Sequence, residues 1–230
     1  MKPPALTHAS LHHAILRGFL DRGHAPSLAQ LAELFEVDAA AMAHALRELA
    51  AYHGVVLHPH APEVWVAHPF SSAPTGFTVR HGERRWWGNC AWCSLGLAGL
   101  LGGSGVTIDT RLGGEGRAVT IRVDDHHVDR DLVVHFPIAM ERAWDNVVFT
   151  CSVMLAFEDA AAVDEWAKHH GLPRGDVRPI QTVYDFARQW YGRHLDRDWR
   201  KWTVAEAREL FTQFGLDGPI WHLQASGERF

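Results

Sequence analysis

One stretch of the chain, AWCSLGLAGLL at residues 91–101, consists almost entirely of small and apolar side chains and carries no charge. A helix that is apolar on every side is stable only when other elements surround it. The pair Gly102-Gly103 follows directly, and glycine is typical of a helix end. The sequence therefore predicts a buried helix around which the remainder of the chain packs.

Cys93 lies near the N-terminus of this predicted helix. Unpaired backbone N–H groups and the positive end of the helix dipole stabilise negative charge at such a position, which lowers the pKa of a thiol. Cys93 is therefore a candidate nucleophile or soft-metal ligand.

The first seventy residues contain three helical patterns followed by two strand patterns. The pair Ser27 and Gln30 has the spacing of a capping box and marks the start of the second helix. The patterns cover, in order, residues 11–20, 28–35, 39–49, 55–57 and 64–66. Three helices and a hairpin predict a winged-helix-like domain over residues 1–70.

The stretch SSAPTG at residues 71–76 predicts a linker, so that residues 77–230 form a second domain. The predicted strands there are 106–108, 118–123 and 132–136, and the predicted helices are 159–169, 182–194 and 204–214. The apolar run 147–157 fits either a helix or a strand. The fold class expected from this order is α+β, with a mixed sheet, helices and a C-terminal helical extension.

Charge argues against a nucleic-acid partner. Residues 1–66 hold four Lys/Arg against six Asp/Glu, whereas phosphate contacts need the opposite balance. The C-terminal stretch WYGRHLDRDWRKWT interleaves aromatic and basic residues, but Asp196 and Asp198 largely cancel its charge. We therefore expect no nucleic acid as partner.

Three cysteines are too few for a secreted disulfide framework, and they suit free thiols in a reducing compartment. No window reaches the length of a membrane span, and the N-terminus lacks the pattern of a signal peptide. We expect a cytoplasmic protein with no membrane partner.

Cys90 and Cys93 form a C-x-x-C spacing, which serves either redox exchange or metal binding. The redox alternative needs a strand directly before the motif, and WWGN is a poor strand sequence. A zinc site needs further ligands, for which Cys151 and His135 are available.

Two cysteine contexts resemble those of the alkylmercury lyase family. The first is Ala91-Trp92-Cys93-Ser94-Leu95 near a helix start. The second is Cys151, followed by Phe157 and then by Trp166-Ala167-Lys168-His169. The resemblance covers roughly residues 10–195 and includes an N-terminal winged-helix-like unit.

The resemblance implies that Cys93 and Cys151 bind the mercury of an organomercurial while a proton reaches the departing carbon. A hydrocarbon and Hg(II) are the implied products. Two thiolates suit a soft, thiophilic metal. The expected partner is thus a small organometallic or soft-metal ligand, and no cofactor is expected.

The sequence departs from the family at the proton donor. The family has an aspartate three residues after the first cysteine, and Gly96 stands there. Protonation of carbon needs a donor within hydrogen-bonding reach. The candidates are Glu115, Asp145 and the thiol of Cys90.

Two other functions remain open. One is a non-catalytic protein that binds a soft metal through Cys90, Cys93 and Cys151. The other is a scaffold that acts on a small organic substrate with Cys93 as covalent nucleophile. A proton donor near the thiols separates the lyase from the non-catalytic metal-binding protein.

Overall fold

The computed structural model of the protein describes residues 3–224. Its helices are α1 His8–Arg22, α2 Leu28–Phe35, α3 Ala39–Ala51, α4 Ala91–Leu100, α5 Val147–Ser152, α6 Ala160–His170, α7 Ile180–Tyr191 and α8 Val204–Gln213. Its strands are β1 Val56–Leu57, β2 Val64–Ala67, β3 Phe70–Ser71, β4 Thr78–His81, β5 Arg84–Gly88, β6 Val106–Arg111, β7 Ala118–Asp124, β8 His127–Val128, β9 Val133–Phe136, β10 Ala156–Phe157 and β11 Asp176–Pro179.

The N-terminal helices begin at residues whose side chains accept backbone N–H groups of the first turn. Ser27 and Gln30 form the expected reciprocal capping box, and Asp38 accepts a hydrogen bond from the N–H of Ala41. Such caps satisfy donors that the helix itself leaves unpaired. The three predicted helices and the β1–β2 hairpin are confirmed as elements.

One eight-stranded sheet runs through most of the molecule, in the order β1-β2-β3-β5-β4-β6-β7-β8. All its pairings are antiparallel. Ser71, which the sequence assigns to a linker, lies in β3 and pairs with Trp87 of β5. The sheet and the hydrophobic core therefore continue across residues 71–76, and the division into two domains stays a prediction.

The stretch before the cysteine motif is a strand, because Trp86 and Trp87 lie in β5. The prediction that WWGN is a poor strand was wrong, since the large aromatic residues pair across the sheet with Val79 and Thr78 of β4. The surrounding sheet is antiparallel and does not alternate in a β-α-β pattern.

Helix α4 is buried as predicted, since every residue from Ala91 to Ala98 is buried. It packs along α7, and glycines on α4 bring the two helices close together. A Cβ atom on Gly99 would lie 3.2 Å from Cα of Arg188. Helix α4 therefore lies between the large sheet and α7.

A second sheet has the order β10-β9-β11 and is also antiparallel. The apolar run that fitted either helix or strand divides into both, because α5 ends at Ser152 and β10 follows at Ala156. The α+β fold class is confirmed. In the part of the chain from 3 to 224, no helix is long and apolar enough to cross a membrane.

Candidate functional site

Three free cysteines are buried at the start of α4 and in α5. Cys90 is the N-cap residue of α4, and its Sγ accepts a hydrogen bond of 3.3 Å from the backbone N–H of Cys93. Cys151 lies in α5, where Asn146 caps the helix start. Two separate helices thus deliver the two cysteines that the sequence singles out.

His68 joins this cluster from the turn between β2 and β3. Its Nε2 lies 3.7 Å from Sγ of Cys151 and 3.2 Å from the side-chain amide of Asn89. The ligand atoms of His68, Cys93 and Cys151 all lie within 4.8 Å of one another. Burial lowers the pKa of His68 to about 4, so its ring is a neutral nitrogen donor near pH 7.

The thiols differ in their acidity. Burial alone would raise the pKa of Cys90, but hydrogen bonds from the thiols of Cys151 and Cys93 and from the Cys93 N–H outweigh it. The pKa of Cys90 is therefore held well below its usual range. Burial raises the pKa of Cys93. The pKa of Cys151 is also raised, chiefly by the hydrogen bond between its thiol and Cys90. The pKa expected to be low at Cys93 is instead low at Cys90, chiefly because the thiols of Cys151 and Cys93 donate to its sulfur, with the capping bond from the Cys93 N–H adding to the effect.

Tyr191, the last residue of α7, places its hydroxyl 3.3 Å from Sγ of Cys93. The tyrosine ring lies against Gly96, where an added Cβ atom would approach Cε2 to 2.6 Å. Burial raises the pKa of Tyr191 well above its ordinary value, so the side chain keeps its O–H. The sequence spacing could not reveal that Tyr191 contacts Cys93, since the two lie 98 positions apart.

A cavity opens onto Cys93 and Cys151. Its other walls are mostly aromatic, and the lining residues include Trp92, Trp144, Trp190, Trp199 and Trp202 together with His12, His53, His68 and His194. The C-terminal stretch with interleaved aromatic and charged residues therefore forms one wall of this cavity. Among the described lining residues there is no carboxylate.

Buried polar nitrogens face this apolar region without hydrogen-bond partners. They are Nδ1 of His12, Nδ1 of His194 and Nε1 of Trp92. Burial lowers the pKa of His194 to about 3 and that of His12 well below its usual value, so both rings are neutral. The cavity is therefore lined mostly by apolar surface, with a few polar nitrogens left unpaired.

Neither predicted carboxylate lines this cavity. Glu115 is exposed and accepts a hydrogen bond of 3.2 Å from Nε2 of His170. Asp145 is also exposed and forms an ion pair with Arg142. Both were candidates because they precede or follow predicted elements, but their side chains point to other partners.

His135 is not part of the thiol cluster either. It lies buried in β9, its Nε2 donates to the backbone oxygen of Arg174, and its ring contacts Phe157 and Trp166. In residues 3–224 the histidine that completes a group of metal-ligand atoms with the cysteines is His68.

The residues that follow Cys151 in the second cysteine context, Phe157 and Trp166, pack against each other and do not line the cavity. Phe157 and Trp166 pack edge to face, with ring centroids 5.6 Å apart. Gly113 of the glycine-rich turn lies against both rings, where a Cβ atom would be 3.0 Å from Phe157. This turn therefore closes over the aromatic pair instead of lining the cavity.

Residues 70–192 match the model of the alkylmercury lyase family, MerB. This match spans more than half of the 230 residues and includes the three cysteines and Tyr191. No curated protein sequence matches the chain. The crystal structure of the mercury-bound form of MerB2 is similar in fold, with a TM-score of 0.65 and 19% sequence identity, and the similarity covers 85% of this chain and 94% of that chain. The chain belongs to the alkylmercury lyase family.

Proposed function

We propose that this protein cleaves the carbon–mercury bond of a small organomercurial by protonolysis. Cys93 and Cys151 take the mercury, and His68 stands at the third corner of the site. The observation that carries the proposal is that the ligand atoms of these three residues lie within 4.8 Å of one another beside an aromatic cavity.

The ligand chemistry suits the metal. Thiolates are preferred by soft, thiophilic cations, and a neutral imidazole is a compatible third donor. The reaction balances as R–Hg–X plus two thiols giving R–H, mercury bound to two thiolates, a proton and X⁻. One thiol proton ends on carbon and the other is released, so neither an oxidant nor a reductant is needed.

The cavity suits the organic group. Indole rings such as those of Trp92 and Trp190 offer a large apolar surface to a hydrocarbon. An apolar enclosure also strengthens the attraction between a polarised carbon–mercury bond and nearby donors. Mercury can thus bind the thiols while the hydrocarbon group contacts the aromatic lining of the cavity.

The test is hydrocarbon release from phenylmercury by the reduced protein in the presence of excess thiol. We expect benzene release by the unchanged protein and its loss in Cys93→Ser and in Cys151→Ser. Cys90→Ser exchanges the third buried thiol for a hydroxyl outside the proposed ligand set, and it tests separately whether the Cys90 thiol supplies the proton. Release that persists in either of the first two variants contradicts the proposal.

A second function is favoured by one observation, the absence of carboxylates among the described residues that line the cavity. The protein would then sequester a soft metal through Cys90, Cys93 and Cys151 without cleaving a bond. Stoichiometric mercury binding with no benzene, weakened by Cys90→Ser, identifies this function.

A further inference from the structure

We propose that Tyr191 delivers the proton to carbon, donating its hydroxyl hydrogen while it accepts the hydrogen of the Cys93 thiol. This inference rests on the proposed function and names the group that the function lacks. It assigns a catalytic role to a residue that contacts a reacting sulfur directly.

The hydroxyl groups around the cavity point to Tyr191. Thr150 and Tyr191 are the hydroxyl-bearing residues among the described ones that line it. Of these two, Tyr191 is the one recorded in a hydrogen bond with a thiol, at 3.3 Å from Sγ of Cys93. Protonation of carbon needs a donor within hydrogen-bonding reach, and this hydroxyl stands beside one of the two sulfurs proposed to hold the mercury.

The position of the hydroxyl is fixed by packing. Tyr191 is 2% exposed, and its ring is held by Trp92 and His194, with centroid distances of 5.6 and 4.9 Å. On its other side lies Gly96, where any side chain would overlap the ring. The tyrosine therefore fills the space that a side chain three residues after Cys93 would occupy.

The step is balanced in atoms and electrons. The organomercurial is first bound to Cys151, with loss of that thiol's proton. As Sγ of Cys93 forms its bond to mercury, its proton passes to Oη of Tyr191. The proton of the Tyr191 hydroxyl passes to carbon, and the electron pair of the carbon–mercury bond becomes the new carbon–hydrogen bond. Tyr191 ends protonated, as it began.

The test compares two tyrosines of the same helix. Tyr191→Phe removes the hydroxyl at Cys93, whereas Tyr184→Phe removes a buried hydroxyl that bonds to His126 at 2.8 Å and does not line the cavity. Single turnovers of phenylmercury with a labelled ring report two events. Loss of free thiol and retention of label measure binding, and benzene formation measures cleavage.

We expect Tyr191→Phe to bind phenylmercury like the unchanged protein but to release benzene at least about 100-fold more slowly, the usual scale of proton-transfer catalysis. Tyr184→Phe is expected to release benzene at the original rate. An unchanged rate in Tyr191→Phe overturns the inference. Equal losses of binding and cleavage also overturn it, because they indicate a structural role.

A second variant reaches the same group from the other side. Gly96→Ala retains the Tyr191 hydroxyl but displaces the ring that carries it. Benzene release is therefore expected to slow while mercury binding persists. Release at the original rate contradicts the assigned geometry. If the unchanged protein binds phenylmercury and releases no benzene, the proposed function itself fails, which is a distinct result.

Discussion

Gly96 and Tyr191 are in such close contact that a single methyl group on residue 96 would overlap the phenol ring. Gly96 stands in α4, and Tyr191 ends α7. The absence of a side chain at residue 96 is therefore what allows the hydroxyl of Tyr191 to reach Cys93. The position of the Tyr191 ring thus depends on glycine at residue 96.

The first prediction concerns this contact. Alanine favours a helix over glycine by about 1 kcal/mol, whereas overpacking a tight core costs about 1–3 kcal/mol. Because the ring of Tyr191 is held on its other sides, we expect the overpacking to outweigh the helix gain, so that Gly96→Ala lowers the free energy of unfolding by up to about 2 kcal/mol. Urea denaturation measures the change. Gly76→Ala is the control, since a Cβ atom there meets nothing within 4 Å, and a gain in stability for Gly96→Ala contradicts the contact.

The second prediction concerns Cys90 as a helix cap. Its Sγ accepts the N–H of Cys93, and serine can make the same bond while alanine cannot. We expect Cys90→Ala to be less stable than Cys90→Ser by about 1 kcal/mol, the usual value of an N-cap. Unfolding of the reduced, metal-free variants measures the difference. Equal stability of the two variants would show that the cap contributes nothing.

The third prediction concerns pH. Burial lowers the pKa of His194 from 6.5 to about 3, so below about pH 6.5 the unfolded chain binds a proton that the folded protein does not. Stability is therefore full above 6.5 and is lost progressively as the pH falls towards 3. We expect about 1.4 kcal/mol less stability from this group at about pH 5.5 than at about pH 7.5.

The comparison that isolates His194 is denaturation of the unchanged protein and of His194→Gln at both pH values. The variant lacks one titrating ring, so its loss of stability on acidification is expected to be smaller. The remaining loss includes His12, whose pKa burial also lowers. An identical loss in both proteins refutes the assignment to His194.

The fourth prediction concerns the aromatic wall. Trp144 stacks on His53 at a centroid distance of 4.6 Å and meets His68 edge to face at 5.2 Å. An aryl group gains more than a methyl group from an indole surface, by about 1 kcal/mol. We expect Trp144→Ala to lower kcat/KM for phenylmercury by about five-fold, with a smaller effect on methylmercury. Trp65→Ala, outside the cavity, is the control, and equal losses for both substrates count against an aryl-binding wall.

Local signals explain how far the sequence predicted the fold. Two features could be predicted from neighbouring residues alone. They are the capping box at Ser27 and Gln30 and the burial of the uncharged helix α4. The linker prediction misread its first residue, because composition marks Ser71 as flexible while pairing with Trp87 depends on a strand further along the chain.

The site was predicted only in part for a related reason. Cys93 and Cys151 were found from their sequence contexts, and the structure places both beside one cavity. His68 and Tyr191 reach them through the β2–β3 turn and the α4–α7 packing, which no spacing along the chain encodes. Glu115 and Asp145 were suggested by their positions in the glycine-rich turn and just before the Cys151 segment, and position along the chain does not say where a side chain points.

The most direct test of the central claim is a crystal structure of the reduced protein after reaction with phenylmercury, with mercury located by its anomalous scattering. The account predicts one mercury bonded to Sγ of Cys93 and Sγ of Cys151, with Nε2 of His68 as its nearest nitrogen and no phenyl ring attached. Mercury bound elsewhere, or mercury at these thiols with its phenyl ring still attached, would contradict the account.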